Sequence, residues 1–272
     1  MGVFDGILLC TDLDGTLFTN DKRVSEENSR AIEHFKAEGG KFAFATGRVP
    51  RGAALAAEYA KPNTPIICYN GAGIFDYSDS RLLWHRTLDY SVFDAVDMVC
   101  ERLPQVGLEI CTTKSIFYSH ENNVTRESRD MQNFDDNPIE YRDITEEIIK
   151  IVFMMEQQYM PDIRRVLAES EYAGEYTFSQ SSDKYYEILP KGATKGQAML
   201  ELARMLGIDG DRVVAMGDNE NDIDMIRRAK VGIAVANAAK EVLSAADYIM
   251  VDNEHNAVAA VIEALEMGKI KL

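Results

Sequence analysis

The chain has little of what marks a disulfide scaffold, a zinc protein or a membrane protein. It has four cysteines in 272 residues. Cys10, Cys68, Cys100 and Cys111 show no C-x-x-C spacing, and Cys10 and Cys68 sit in apolar runs where a free thiol serves as a small core residue. A disulfide framework is disfavoured and a reduced, cytoplasmic setting is expected. The four histidines, His34, His85, His120 and His255, are scattered, with no H-x-x-H or HExxH pattern, which argues against zinc. No long apolar run and no basic leader are present, so neither a membrane span nor a signal peptide is expected. Positive charge is in deficit, with Lys+Arg 29 against Asp+Glu 45 and a net charge of -16. That field disfavours nucleic acid and anionic membranes. It also repels phosphorylated metabolites, so a phosphate site here must be made locally positive by a metal, a lysine or a helix N-terminus. There is no internal repeat and no low-complexity segment.

What is there is a core-rich chain, 46% hydrophobic, long enough for one large domain or two ordinary ones. Its first third alternates strand and helix. A strand is expected over 7–11, a helix over 25–38 capped by Ser25 and stopped at Gly39-Gly40, a strand over 41–45, a helix over 52–60 and a strand over 65–69. This β-α-β-α-β order implies parallel strands joined by right-handed crossovers. The last third resumes the pattern, with strands over 212–216, 231–235 and 248–251 and helices over 196–206, 222–229, 239–245 and 256–265. The middle differs. Strands near 108–111, 115–119, 151–155, 177–181 and 185–189, with helices over 92–101 and 160–168, form a mixed α+β block. The division expected is a core over 1–83 and 190–272 with an inserted domain over 84–189.

Three of the core strands end in polar turns: Asp12-Leu13-Asp14-Gly15-Thr16, Thr46-Gly47-Arg48 and Gly217-Asp218-Asn219-Glu220-Asn221-Asp222. Ligands of an open parallel sheet bind beyond the carboxyl ends of its strands, so turns far apart in sequence belong at one edge. Asp12 and Asp14, two apart on extended chain, share a face, and like charges so close invite a divalent cation or a shared proton. A carboxylate there can also attack phosphorus. The plain alternative is a polar turn closing a hairpin. Thr46 offers a hydroxyl at a loop-to-helix junction, suited to a phosphate oxygen, or is an ordinary strand-end turn. Asp218 and Asp222, four apart, share a helical face; with Asp12 they make an oxygen-rich pocket suited to Mg²⁺, or they are helix-start residues. Asn221 is neutral and can donate to a phosphate oxygen. Lys195, at a helix start where the dipole disfavours a cation, calls for an anionic partner, or is a solvated surface residue.

Together these segments resemble the haloacid dehalogenase superfamily of phosphatases. The matching motifs are Asp12-Leu13-Asp14-Gly15-Thr16, Thr46-Gly47-Arg48, Lys195 and Gly217-Asp218-Asn219-Glu220-Asn221-Asp222. Asn70-Gly71-Ala72 and Lys191-Gly192-Ala193-Thr194-Lys195-Gly196 are similar to the Cof-like branch with its C2 type B cap. The resemblance covers essentially the whole chain. It implies an α/β fold, a Rossmann-like doubly wound parallel sheet with an inserted α+β cap domain. It implies Asp12 as nucleophile, forming an aspartyl-phosphate, and Asp14 as general acid and then base, with a raised pKa. It places Mg²⁺ on the carboxylates of Asp12 and Asp218 and the backbone carbonyl of Asp14, with Asp222 nearby or ligating through water. Thr46, Gly47, Lys195 and Asn221 would bind phosphate, and Arg48 and Asn70 would lie at the mouth. The function implied is hydrolysis of small phosphorylated metabolites, sugar phosphates foremost, by a monomer or homodimer. A phosphomannomutase-like phosphotransferase with the same nucleophile and a non-catalytic sugar-phosphate-binding regulator remain as alternatives.

Overall fold

The hydrophobic runs of the first and last thirds become the inner strands of one sheet. The computed structural model describes residues 2–132 and 139–272. The first elements are β1 (Leu8–Thr11), α1 (Glu26–Ala37), β2 (Lys41–Phe44), α2 (Pro50–Ala60), β3 (Ile66–Cys68), β4 (Gly73–Asp76) and β5 (Arg81–His85). Next come α3 (Val92–Arg102), β6 (Gly107–Thr112), β7 (Ile116–Ser119), α4 (Asn123–Gln132), β8 (Ile148–Met154), α5 (Met160–Ala168), β9 (Thr177–Gln180) and β10 (Tyr185–Leu189). The chain ends with α6 (Lys195–Met205), β11 (Val213–Gly217), α7 (Ile223–Arg228), β12 (Val231–Val235), α8 (Lys240–Leu243), β13 (Tyr248–Met250) and α9 (Ala257–Glu266). Two compact units result, one from the chain up to Trp84 with Thr194–Leu272, the other from His85–Ala193. Among the described residues no helix is long and apolar enough to cross a membrane.

The first unit carries a parallel sheet of order β13-β12-β11-β1-β2. β1 is flanked on both sides, by β11 and β2, and every residue of it is buried, which explains a continuous apolar run in place of alternation. The helices are fixed by their caps. Ser25 accepts from Asn28 N ahead of α1, and Thr194 accepts from Gln197 N ahead of α6. The register sets the site. Thr11 pairs with Met216 on one side and Phe44 on the other. Asp12 therefore leaves the sheet beside Gly217-Asp218, held by its N–H to Met216 O at 2.9 Å.

One expectation is corrected. The segment 65–69 does not continue as a full parallel strand. β3 meets β2 only at the Ala45–Ile67 bridge and otherwise pairs antiparallel with β4 in a separate sheet of order β3-β4-β5. The reason is local: Tyr69, Asn70 and Gly71 all have positive φ, which turns the chain back so that Cys68 pairs with Gly73.

The second unit is an antiparallel sheet of order β7-β6-β8-β10-β9. Alternation along its strands sorts side chains onto two faces. Leu108, Ile110, Ile151, Phe153 and Ile188 pack with Val96 and Val99 of α3 and Ile163 and Leu167 of α5. The opposite parity carries Glu109, Lys150, Val152 and Glu187, all buried.

Candidate active site

Four turns of the first unit converge at the carboxyl ends of β1, β2 and β11. After β1 the chain must curl at once, and Gly15, at φ +86°, permits it; a Cβ there would stand 2.5 Å from Asp218 Oδ2, so the two acidic turns lie against each other. Thr16 closes the contact by donating its hydroxyl to Asp218 Oδ1 at 2.7 Å. Asn237 Nδ2 donates to Gly15 O at 2.8 Å.

Lys195 begins α6 and is 1% exposed. Its ammonium donates to Asp12 Oδ1 and Asp222 Oδ1, each at 2.6 Å. Burial alone would lower its pKa, but the two carboxylates overcome that and raise it, so the ammonium stays charged. Asp222 is fully committed. Besides Lys195 it accepts the N–H groups of Asp218 and Asn219 on Oδ2, both at 3.0 Å, in the capping box that starts the turn before α7.

The carboxylates of Asp12, Asp218 and Asp222 can each offer an oxygen within 4.8 Å of the others. Three carboxylates face one ammonium. Burial, with repulsion from Asp222 and Asp218, pushes Asp12 well above the ordinary carboxylate range against the pull of Lys195. Burial and Asp222 push Asp218 up to about 6. The donor set is all oxygen and short of positive charge, so it fits a hard divalent cation such as Mg²⁺. Asp12 and Asp218 could hold it, since both oxygens of Asp222 already accept hydrogen bonds.

Asp14 departs from expectation. Its carboxylate meets the Arg48 fork (Nε to Oδ2 2.9 Å, Nη2 to Oδ1 2.7 Å) and Lys22 Nζ at 2.8 Å. Burial would raise its pKa, but Arg48 and Lys22 outweigh it, so the pKa is lowered, not raised. Arg48, expected at the mouth, is thus bound to Asp14 and also donates to Gly52 O at 3.2 Å. Lys22, in a turn at φ +61°, was not singled out from the sequence; a lysine in a polar loop carries no pattern.

Thr46 is buried, and its hydroxyl accepts from Arg48 N at 3.2 Å. Gly47 lies against the carboxamide of Asn70. Asn70, also expected at the mouth, is 2% exposed, and its carboxamide oxygen accepts from Asn221 Nδ2 at 2.9 Å. The ten candidate site residues therefore lie in this one unit, in two linked groups: Asp12, Lys195, Asp218 and Asp222 with Asp14 and Arg48 beside them, and Thr46, Gly47, Asn70 and Asn221.

A family model described as haloacid dehalogenase-like hydrolase matches residues 9–262. Among curated proteins, "Putative phosphatase YxeH" of Bacillus subtilis (strain 168) is 31% identical over 279 residues, 96% of this chain and 99% of that protein. The 5-amino-6-(5-phospho-D-ribitylamino)uracil phosphatase YcsE of the same organism is 30% identical over 256 residues, 94% of each. Among solved structures, the haloacid dehalogenase subclass IIB sugar phosphatase BT4131 superposes with a TM-score of 0.83 at 22% identity, over 97% of this chain and 100% of that one. The last likeness is one of fold.

Proposed function

The chain belongs to the haloacid dehalogenase-like hydrolases and is a phosphatase; from that premise we propose that it is a Mg²⁺-dependent enzyme hydrolysing small phosphorylated metabolites, sugar phosphates foremost, through an aspartyl-phosphate. The observation that carries this reading is the Asp12 carboxylate, on Lys195 at 2.6 Å, with Asp218 and Asp222 gathered around it. A bound Mg²⁺ supplies positive charge that neutralises the carboxylates and polarises the phosphoryl oxygens.

In the first step an Asp12 oxygen attacks phosphorus. The bond from phosphorus to the ester oxygen breaks, and Asp14 gives a proton to the departing alkoxide. In the second step water attacks the same phosphorus, the bond to Asp12 breaks, and Asp14 takes the proton. Lys195 stabilises charge on the transferring group, joined by donors from Thr46 and Asn221. With Arg48 and Lys22 on it, Asp14 is ionised, the form needed for the second step; the first requires that grip to loosen.

Supports for the substrate class come from relatives: YcsE is named for a phosphoribityl substrate and BT4131 as a sugar phosphatase, both phosphate esters of polyols. The four free cysteines fit a cytoplasmic setting. The test is release of inorganic phosphate from a panel of sugar and polyol phosphates with Mg²⁺. Release is expected for some esters, lost with EDTA and lost in Asp12→Asn. A panel with no release sinks the reading, and transfer to a second sugar in place of water would make the enzyme a phosphotransferase.

A further inference from the structure

We propose that Asn70 is a positioning residue: its carboxamide oxygen locks the Asn221 amide in one of two orientations, and its left-handed backbone ties that amide to the Thr46 turn. The inference rests on the reading of Asn221 and Thr46 as phosphate-binding residues.

The starting point is backbone geometry. Tyr69, Asn70 and Gly71 have φ of 53°, 54° and 94° in succession. A left-handed conformation is disfavoured for residues with a Cβ, asparagine tolerating it best, and it persists only where the surroundings over-determine it. Here they do. Tyr69 N donates to Arg48 O and Asn70 N to Thr46 O, both at 3.0 Å. On the far side, a Cβ on Gly71 would overlap the Thr194 carbonyl, one residue before Lys195. A single three-residue turn thus abuts the Thr46-Gly47-Arg48 turn and the first residue of α6.

The side chain adds the third link. Asn221 Nδ2 donates one N–H to Asn70 Oδ1 at 2.9 Å. An amide has two N–H groups, so one remains for a phosphate oxygen. Its two orientations are nearly isosteric, and the wrong one would present the carbonyl, a repulsive partner for an anion. In that orientation Asn221 Oδ1 would also face Asn70 Oδ1, acceptor against acceptor. As long as Asn70 presents its oxygen, the hydrogen bond favours the donor-forward orientation before substrate arrives, which is the preorganisation a transition-state contact needs. Asn221 Oδ1 is buried with no hydrogen-bond partner among the described residues, so among them no second bond on that oxygen competes for the amide's orientation.

Two substitutions separate this role from mere packing. Asn70→Gly keeps the left-handed backbone accessible and deletes the carboxamide. Asn70→Asp keeps an acceptor for Asn221 Nδ2. With a sugar phosphate turned over by the wild type, Asn70→Gly is expected to lower kcat by about 10–100-fold with KM little changed. Asn70→Asp should recover part of kcat, with KM raised because its added negative charge repels the phosphate. The Asn70→Gly/Asn221→Ala double variant should lose little more than Asn221→Ala alone. Side-chain amide NMR gives a readout without turnover: the Asn221 amide protons exchange slowly in the wild type and faster in Asn70→Gly. Wild-type kcat in Asn70→Gly, or equal losses in the Gly and Asp variants with a lowered melting temperature, would overturn the proposal. If the wild type hydrolyses no ester, the functional reading fails; unchanged exchange at Asn221 then overturns the positioning role separately.

Discussion

Lys195 and Lys150 make an instructive pair. Each is buried, 1% and 4% exposed, and each neutralises carboxylates, Asp12 and Asp222 for Lys195, Glu187 and Glu109 for Lys150. Around Lys150 the acceptors are answered within the sheet. Glu187 Oε1 takes Lys150 Nζ at 3.1 Å and the Ser181 hydroxyl at 2.6 Å. Glu109 takes the Tyr118 hydroxyl at 3.2 Å and the Cys111 thiol at 3.4 Å. Around Lys195 the cluster stays short of positive charge, with Asp218 raised to about 6, and it sits where three strands end. Buried charge therefore does not mark a site. A closed network at mid-strand fixes a sheet, and an electron-rich, incompletely neutralised one at strand ends can take up a ligand.

The largest contrast is expected from removing each ammonium. Lys195→Met should lower kcat/KM by about 10²–10³-fold, because a charge that stabilises the transferring phosphoryl is gone, and should also cost stability, since Asp12 and Asp222 lose their buried cation. Lys150→Met leaves Glu187 and Glu109 buried without their cation and should cost about 3–5 kcal/mol of stability. Below its melting temperature its kcat should be that of the wild type. Urea melts and steady-state kinetics on both variants test this. A folded Lys150→Met protein without activity would break the comparison.

The strand ends were readable in the sequence because each is a full apolar run closed by a turn of Asp, Thr, Asn or Gly, and the parallel topology then brings the turns together. Ser25 at the head of α1 and the mixed middle block were readable for the same local reasons. The hairpin of β3 and β4 was not, because nothing in Tyr69 signals a left-handed residue; burial of the turn against Thr194 imposes it. Nor was α4, Asn123–Gln132, whose composition is polar and lacks an apolar stripe. At the site, residue types were legible and pairings were not. No sequence pattern names Asp14 as the partner of Arg48 or Asn221 as that of Asn70, since only the fold tells which polar groups face each other.

A smaller effect should come from pH. Asp218 titrates near 6 in the folded protein against an ordinary 3.8. A raised folded pKa means that this group stabilises the metal-free fold below the ordinary value and that the contribution is lost as pH rises through about 6. Mg²⁺ competes with the proton, so the rise in Tm on adding Mg²⁺ should be small at pH 5 and grow as pH passes 6. Differential scanning fluorimetry with Mg²⁺ or EDTA measures it. In Asp218→Asn the rise should be reduced at every pH, the remaining pH dependence being that of Asp12. A wild-type rise that does not vary between pH 5 and 8 would remove the incompletely neutralised cluster from the comparison.

The closed network should respond least. Burial raises the Glu109 carboxyl, against the pull of Lys150. Its folded pKa exceeds the ordinary 4.5, so the stability it contributes is complete below that value and is lost as pH rises through the folded pKa. Glu109→Gln has nothing to titrate and keeps an oxygen for Tyr118. The variant should therefore match the wild type within about 1 kcal/mol at low pH, the scale of a single hydrogen bond, and gain on it as pH rises. Urea melts at pH 4.5 and 8 decide the sign. A variant that loses ground at pH 8 would mean that the ionised carboxylate is itself needed beside Lys150, and that this cluster, like the one at the strand ends, is built around its charges.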